Sequence, residues 1–385
     1  MIRTLVARTT EIDDIELAVE EIKAQLELEK LEKNSVGIVF CHYEFIYSGV
    51  FKAVCEALPF DTVGCMSTSQ AVNDIAETFL LTVTVLTSSD ASFVTKLTLP
   101  LIGADSCPIE KAYREAENKD SVPAVIFPFI PFINEVPTDE YVDRLTEVSG
   151  GVPCFGTVAL FDTEAAVDSS VFYNGECYID RLVMLLVYSD IKPHFLLTMI
   201  SPEKVLDKPA LVTKSEKNVI MEINGHPALK YFEDLGFGSA GEKHFELAAL
   251  PFVLDYGDGT PRVSKVLIGQ TPEKYIVCAG VVPEGASIYV GVFDKDDVLY
   301  TTGKLIDDIM SDDSYNPSLV FIYSCVSRNM SLGIDVMAEL LLVKDKMGDI
   351  PFIMSYSGGE ICPAQISDLK AVNRFHNNTF IACVL

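Results

Sequence analysis

Two rounds of strand-forming and helix-forming sequence follow one another in the first 200 residues of this chain. The first round has a strand at 1–8, a helix after the capping-box pattern Thr10-Glu-Ile-Asp13, a strand at 36–41, a helix at 49–58 and two β-rich segments at 79–87 and 91–101. Those two segments leave no room for a crossover helix, so they are predicted to form a hairpin. Hairpins mixed with β-α-β units indicate α/β architecture with mixed sheets flanked by helices.

The same order of elements begins again in the second round. It contains a helix at 109–118, a strand at 124–130, a helix at 138–149 and strand-rich sequence up to about residue 200. A short echo joins Phe60-Asp-Thr-Val-Gly-Cys65 to Val152-Pro-Cys-Phe-Gly-Thr157. The N-terminal part is therefore predicted to be internally duplicated.

A polar segment at 201–218 is the predicted join between two domains. At 385 residues the chain exceeds what one hydrophobic core usually organises, so residues 1–206 and 215–385 are predicted to be separate α/β domains. The second is predicted to end with a strand at 318–325, one helix at 331–347, and strands at 352–356 and 379–384.

The charge balance excludes several classes of partner. The chain has 56 acidic and 29 basic residues, and its net charge of −27 would repel nucleic acid and anionic membrane surfaces. The N-terminus has no signal-peptide pattern, and the apolar runs are too short to span a bilayer. We expect a cytoplasmic protein without membrane insertion.

Cysteine and histidine spacing gives no metal signature. The ten cysteines form no CxxC pair, and none of the five histidines has ligand spacing, so buried free thiols are expected. The pattern Gly236-Phe-Gly-Ser-Ala-Gly241 fits GxGxxG but follows a helix-like stretch, so it is interpreted as a turn. No cofactor is predicted.

Several short motifs resemble the FIST family, named for F-box and intracellular signal transduction proteins. They occur in the family's order over nearly the whole chain: Thr62-Val-Gly-Cys-Met-Ser-Thr68, Asn224-Gly-His-Pro-Ala-Leu-Lys-Tyr231, Val282-Pro-Glu-Gly285, Cys325-Val-Ser-Arg328, Tyr356-Ser-Gly-Gly-Glu360 and Phe375-His-Asn-Asn-Thr379. The resemblance implies a sensory module that binds a small polar metabolite, for example an amino acid, and that acts through a signalling protein partner. Because the resemblance covers nearly the whole chain, a stand-alone protein without an output domain is expected. Lys265 stands where many relatives have arginine.

Arg328 is the first candidate ligand-binding residue. It follows a predicted strand at the end where α/β proteins tend to bind ligands, and a guanidinium suits a carboxylate or phosphate. The alternative is an ordinary ion pair with a nearby surface carboxylate.

Glu360 is the second candidate, because Gly358 and Gly359 before it permit unusual backbone angles and close approach. Arg328 and Glu360 would match the two charges of an amino acid, with Tyr356 as an apolar wall. Alternatively, the two residues pair with each other. Alanine at either position is expected to abolish ligand binding and leave the fold intact.

Weaker candidates follow in the last motif. Asn378 and Thr379 match the family pattern and are carried as site residues, whereas Asn377 is expected only to hold a turn.

Two other classes of function stay open. A cysteine-dependent hydrolase would use Cys65, at a strand end, or Cys325, whose pKa Arg328 could lower. Buried thiols are the competing interpretation of both residues, and the chain has no recognisable nucleophile motif. A protein-interaction scaffold is the third class. Cys325 is also carried among the ligand-binding candidates.

Overall fold

The computed structural model describes residues 2–101, 107–133, 136–162, 165, 167–235, 251–311, 317–367 and 370–385. Within them lie three six-stranded mixed sheets and one seven-stranded antiparallel sheet. The mixed α/β class predicted from the sequence is confirmed. In this described part of the chain, no helix combines the length and apolarity needed to cross a membrane.

The first structural unit fills the first ninety residues. Its elements are β1 (Arg3–Thr9), α1 (Ile15–Leu26), β2 (Asn34–Cys41), α2 (Tyr43–Tyr47), α3 (Val50–Glu56), β3 (Thr62–Met66), a hairpin of β4 (Gln70–Val72) and β5 (Ile75–Glu77), and β6 (Leu81–Ser88). The cap of α1 is Asp14, whose carboxylate accepts a hydrogen bond from the Leu17 N–H, rather than the predicted Thr10.

A second unit repeats this order. It consists of β7 (Ser92–Leu97), α4 (Cys107–Ala116), β8 (Val125–Ile130), α5 (Thr138–Ser149), β9 (Gly156–Val158), a hairpin of β10 (Val171–Tyr173) and β11 (Glu176–Tyr178), and β12 (Val183–Tyr188). The predicted duplication therefore has a structural counterpart.

A third unit, interrupted by an inserted sheet, completes the chain. It begins with β13 (His194–Thr198) and, after the insertion, continues with α7 (Lys295–Ser311), β21 (Val320–Cys325), α8 (Val326–Ser331), α9 (Ala338–Met347), β22 (Phe352–Ser357), a hairpin of β23 (Glu360–Ser367) and β24 (Lys370–His376), and β25 (Phe380–Val384). The inserted elements are β14 (Ala210–Glu216), β15 (Val219–Ile223), β16 (His226–Pro227), α6 (Ala228–Asp234), β17 (Pro251–Asp255), β18 (Val263–Gln270), β19 (Ile276–Cys278) and β20 (Ser287–Val290).

The three mixed sheets have the same strand order and exchange their hairpins in a ring. Each contains one parallel pair, namely β2 with β3, β8 with β9, and β21 with β22. The hairpin beside each parallel pair comes from another unit: β10–β11 lies beside β3, β23–β24 beside β9, and β4–β5 beside β22. The sheets therefore take strands from both sides of the predicted division at 206–215.

The inner faces of the three sheets share one core. Phe40, Phe129 and Tyr323 hold matching positions on the three parallel pairs, opposite Cys65, Thr157 and Ser355. The ring of Phe40 lies 5.9 Å from that of Phe129 and 5.7 Å from that of Tyr323. Helices cover the outer faces, so each sheet is buried on both sides.

The inserted sheet is a separate antiparallel layer with its own core. Its order is β14-β20-β17-β18-β19-β15-β16, and β14 also pairs with β15, which closes the sheet on itself. Closure removes the free edges that an open sheet would leave.

Two predictions of local structure are wrong. Strands β6 and β7 do not form a hairpin, because β6 already pairs with β1 and β2 while β7 pairs with β12 in another sheet. The predicted helix at 331–347 is two helices, α8 and α9, separated by a turn at Gly333, where φ is +62°. The GxGxxG pattern at 236–241 lies outside the described residues.

Candidate functional site

The candidate residues meet where the third unit faces the inserted sheet. The carboxyl ends of β21 and β22 lie side by side, and the turn between β24 and β25 adjoins them. The Asn377 N–H of that turn donates to the Ser264 carbonyl of β18 at 3.0 Å. The carboxyl edge of a parallel strand pair is a common ligand-binding position.

Glu360 is a fully buried carboxyl at the start of β23. Its Oε2 accepts a 2.6 Å hydrogen bond from the Thr379 hydroxyl, whereas Oε1 has no partner among the described residues. Burial raises the pKa of Glu360 to about 8, although the hydrogen bond from Thr379 opposes this shift. The group is therefore largely neutral at pH 7, unlike the ammonium acceptor predicted from the sequence.

Two neighbouring asparagines bring further buried polar atoms to the site. Asn378 has a positive φ of 55°, and its Oδ1 accepts the Ser327 hydroxyl at 2.6 Å. Its Nδ2 is without a partner in the described part of the chain, as are both amide atoms of Asn377. Asn377 therefore joins the candidate site, although the sequence analysis assigned it a turn role alone.

Of the two predicted glycines, Gly359 is the one whose backbone conformation and close contacts require glycine. Its φ is +148°, and a Cβ there would lie 2.3 Å from the Phe375 ring and 2.9 Å from Asn377 Nδ2. Gly358 does not have positive φ, and its N–H donates to the Val158 carbonyl at 2.8 Å. Gly358 thus joins the third unit to the second.

Arg328 is occupied by a buried ion pair with Glu339 of α9. Its Nη2 lies 2.9 Å and its Nε 3.0 Å from Glu339 Oε1, and both side chains are fully buried. Nη2 also donates to the Val298 carbonyl at 3.0 Å and to the Thr302 hydroxyl at 2.7 Å. Only Nη1 lacks a partner among the described residues, so Arg328 could offer one donor group rather than a two-pronged clamp.

The ion-pair alternatives considered from sequence did not include Glu339. Arg328 pairs with neither a surface carboxylate nor Glu360. The arginine also lies in the first turn of α8 rather than before a helix.

Tyr356 packs beside this ion pair in the outer core of the third unit. It is buried, and its hydroxyl has no partner in the described structure. Burial raises the pKa of Tyr356 well above its ordinary value, and the Glu339 carboxylate adds to the shift. The side chain thus supplies both an apolar wall and a polar tip.

The two candidate nucleophiles are buried thiols. Burial raises the pKa of Cys325 to about 12 and that of Cys65 far above its ordinary value. Neither environment favours a thiolate, which is the reactive form of cysteine. The described geometry therefore offers no support for a hydrolase using either residue.

Lys265 forms a second buried ion pair that the sequence did not reveal. Its Nζ donates to Asp139 Oδ1 and to the Phe375 carbonyl, both at 2.8 Å. This contact links β18 of the inserted sheet to α5 of the second unit and to the strand that leads to Asn377. A lysine inside an otherwise apolar strand was the available signal, because such a residue requires a partner.

Two family models match this chain and together cover most of it. The FIST N domain model matches residues 35–226, and the FIST C domain model matches residues 228–363. The chain belongs to the FIST family. This family's domains serve in sensory signal transduction, which is associated with small-ligand binding.

Other comparisons add little. A search of curated proteins found no match to this chain. One solved structure, titled "Cyanuric acid hydrolase: evolutionary innovation by structural concatenation", is 9% identical with a TM-score of 0.32, covering 100% of this FIST chain and 99% of that chain. A likeness this weak carries no argument.

Proposed function

We propose that this FIST protein is a small-molecule sensor whose ligand binds between the third unit and the inserted sheet. The observation that carries the proposal is a set of buried polar atoms without partners among the described residues: Glu360 Oε1, Asn378 Nδ2, both amide atoms of Asn377, and Arg328 Nη1. They lie on connected segments at the carboxyl ends of β21 and β22.

A cluster of unpaired buried polar atoms lowers the stability of the folded protein. Leaving one buried donor or acceptor unpaired costs about 1–3 kcal/mol, and buried polar groups in folded proteins are normally paired. A small polar ligand that satisfies several of these atoms would recover that cost on binding. The same atoms would then provide both affinity and selectivity.

The family's role in signal transduction implies that ligand binding has an effect on a further component. We propose that the ligand is a small polar metabolite, with amino acids as the first compounds to test, and that a protein partner in the cytoplasm responds to the bound state. The buried Lys265–Asp139 pair connects the site's turn to α5 of the second unit, and we propose that the effect of ligand binding is transmitted through this pair.

A thermal-shift screen of the full chain against amino acids, organic acids and nucleotides tests this proposal. A ligand at 100 times its dissociation constant stabilises the native state by about 2.7 kcal/mol. We expect a saturable shift for one class of compound, and its loss in Asn377→Ala.

Asn34→Ala is the matched control for that variant. The Asn34 amide donates to the Ala91 carbonyl at 2.7 Å in the first unit, outside the inserted sheet and the third unit. Its variant should bind as the unmodified protein does. Equal binding by both alanine variants would place the ligand elsewhere, and a flat screen would contradict the sensor proposal.

A further inference from the structure

The unpartnered atoms of the site are mainly hydrogen-bond donors. Arg328 Nη1, Asn377 Nδ2 and Asn378 Nδ2 can only donate, whereas Asn377 Oδ1 and the Nδ1 of neutral His376, whose Nε2 donates to the Cys362 carbonyl, accept. The remaining atom, Glu360 Oε1, donates when the carboxyl carries a proton and accepts when it does not. The chemistry of the ligand therefore depends on the state of Glu360.

Burial favours the neutral form of Glu360 and outweighs the Thr379 and Ser357 hydroxyls and the Arg328 charge, which favour the ionised form. None of the described ion pairs includes this residue, and the nearby Arg328 charge is already matched by Glu339 at 2.9 Å. Thr379 donates to Oε2, which leaves Oε1 as the carboxyl oxygen that can carry a proton and donate, because it has no partner among the described residues. A neutral carboxyl in this position adds one more donor to the set.

The first unit provides an independent comparison for the same position. Gln70 opens the exchanged hairpin β4–β5 as Glu360 opens β23–β24, and the two residues pair with Ser355 and Thr157 at matching places in their sheets. Gln70 is a neutral side chain of the same length. The repeated architecture thus already accommodates a neutral donor at this point.

We propose that the site recognises the carboxylate end of a small organic acid, with Glu360 donating a hydrogen bond to it as a neutral carboxyl rather than accepting one from an ammonium group. This inference rests on the proposed function. Asn377 and Asn378 would donate through Nδ2 to the same carboxylate, and Arg328 Nη1 would supply positive charge. Free organic acids and amino acids share this chemistry.

Several titratable groups face Glu360 from the elements packed around it. Cys325 lies on β21, Cys362 on the same strand as Glu360, Arg328 on α8, and His376 directly opposite on β24. Burial raises the pKa of both thiols and lowers that of His376 to about 3, so these three groups stay neutral between pH 6 and pH 9. Glu360 is then the group whose titration governs binding in that range.

Calorimetric titration with matched probes tests the inference. Straight-chain carboxylates from acetate to hexanoate would be compared with the amide and the amine of each length, at pH 6.5 and pH 9. We expect one or more carboxylates to bind and the amines not to bind. Carboxylate affinity should fall about tenfold at pH 9, one unit above the pKa of about 8 for Glu360.

Glu360→Gln sharpens the test, because glutamine keeps a donor but cannot titrate. We expect this variant to retain carboxylate binding and to lose the pH dependence. 2-Aminobutyrate beside butyrate separates the two sources of carboxylate. Equal affinity would show that the protein does not bind the ammonium group. Tighter binding of 2-aminobutyrate that persists in Glu360→Gln would show that other residues bind the ammonium group, and a gain that is lost in Glu360→Gln would overturn the inference.

The results that would overturn the carboxylate inference differ from those that would overturn the sensor proposal. Binding of an amine that strengthens with pH and disappears in Glu360→Gln would overturn the inference and leave the sensor proposal standing. A compound from the screen that binds at Asn377 while none of the carboxylates does so at millimolar concentration would also overturn the inference. Failure of the sensor proposal itself would show as a flat screen.

Discussion

The first and third units have the same sheet order but place different residues at two matching positions. In the first turn of the helix after the leading parallel strand, the first unit has buried Phe45 and the third has Arg328. At the start of the exchanged hairpin, the first unit has Gln70 and the third has Glu360. Gln70 satisfies both of its polar atoms, by accepting from Thr82 and donating to the Leu80 carbonyl.

This difference shows which side chains the six-stranded sheet requires and which it does not. The first unit builds the same six-stranded sheet with an apolar residue and a fully paired amide. Ionisable groups are therefore not required at these positions, and in the third unit they add desolvation cost and leave atoms unpaired. Where one repeated unit breaks local rules that another unit keeps, the departure points to a functional site.

The largest expected effect comes from breaking the Arg328–Glu339 pair. Arg328→Ala leaves a fully buried carboxylate without its cation, and such a loss costs about 3–5 kcal/mol of stability. This corrects the expectation from sequence that Arg328→Ala leaves the fold intact. Chemical denaturation of the purified variant would measure the change.

A double variant serves as the control for that measurement. Arg328→Met with Glu339→Leu makes the third unit resemble the first, with its apolar Phe45, so most of the lost stability should return. A single variant as stable as the unmodified protein, or a double variant no better than the single one, would contradict this comparison.

A smaller effect, dependent on pH, is expected from Glu360→Gln. Because the folded pKa of Glu360 is raised from 4.5 to about 8, its contribution to stability is complete below about pH 4.5 and is lost as the pH rises to about 8. Glutamine removes this loss, as at Gln70. The variant should therefore be more stable than the unmodified protein at pH 9, and its advantage should grow as the pH rises from about 4.5 to about 8.

Denaturation curves at pH 5 and pH 9 would check the sign. The stability that Glu360→Gln gains over the unmodified protein should shrink towards pH 5. Gln70→Glu in the first unit should instead lose stability, and the loss should be larger at pH 9 than at pH 5. An advantage that is the same at both pH values would show that Glu360 does not titrate as proposed.

Sequence patterns predicted the order of elements well and their partners poorly. Periodicity located most strands and helices and revealed two of the three repeated units. The third was hidden because the inserted sheet separates β13 from α7 by almost one hundred residues. The hairpin exchange was equally hidden, since an apolar strand such as β6 records that it is buried but not which strands flank it.

The site was predictable to the extent that residues lay in short motifs. Arg328, Glu360 and Asn378 do lie close together, because their motifs end or begin neighbouring strands. Glu339 was missed because it lies on α9, where a glutamate is ordinarily exposed. It is buried by its contacts with Thr302 of α7, Ser324 of β21 and Arg328 of α8. Asn377 was underrated because an asparagine in a turn has a local explanation that does not require a ligand.

The smallest expected effect distinguishes the two units through a matched pair of threonines. Thr82 donates to Gln70 Oε1 at 2.7 Å, and Thr379 donates to Glu360 Oε2 at 2.6 Å. Thr82→Val and Thr379→Val should each cost about 1–3 kcal/mol, because each variant leaves a buried acceptor unpaired. Only Thr379→Val should also alter binding, because the lost hydrogen bond favoured the ionised form of Glu360 and its removal raises that pKa further. The pH at which carboxylate affinity declines should therefore move upward in Thr379→Val and stay unchanged in Thr82→Val. Identical pH profiles in the two variants would mean that the two hairpin positions play the same structural role after all.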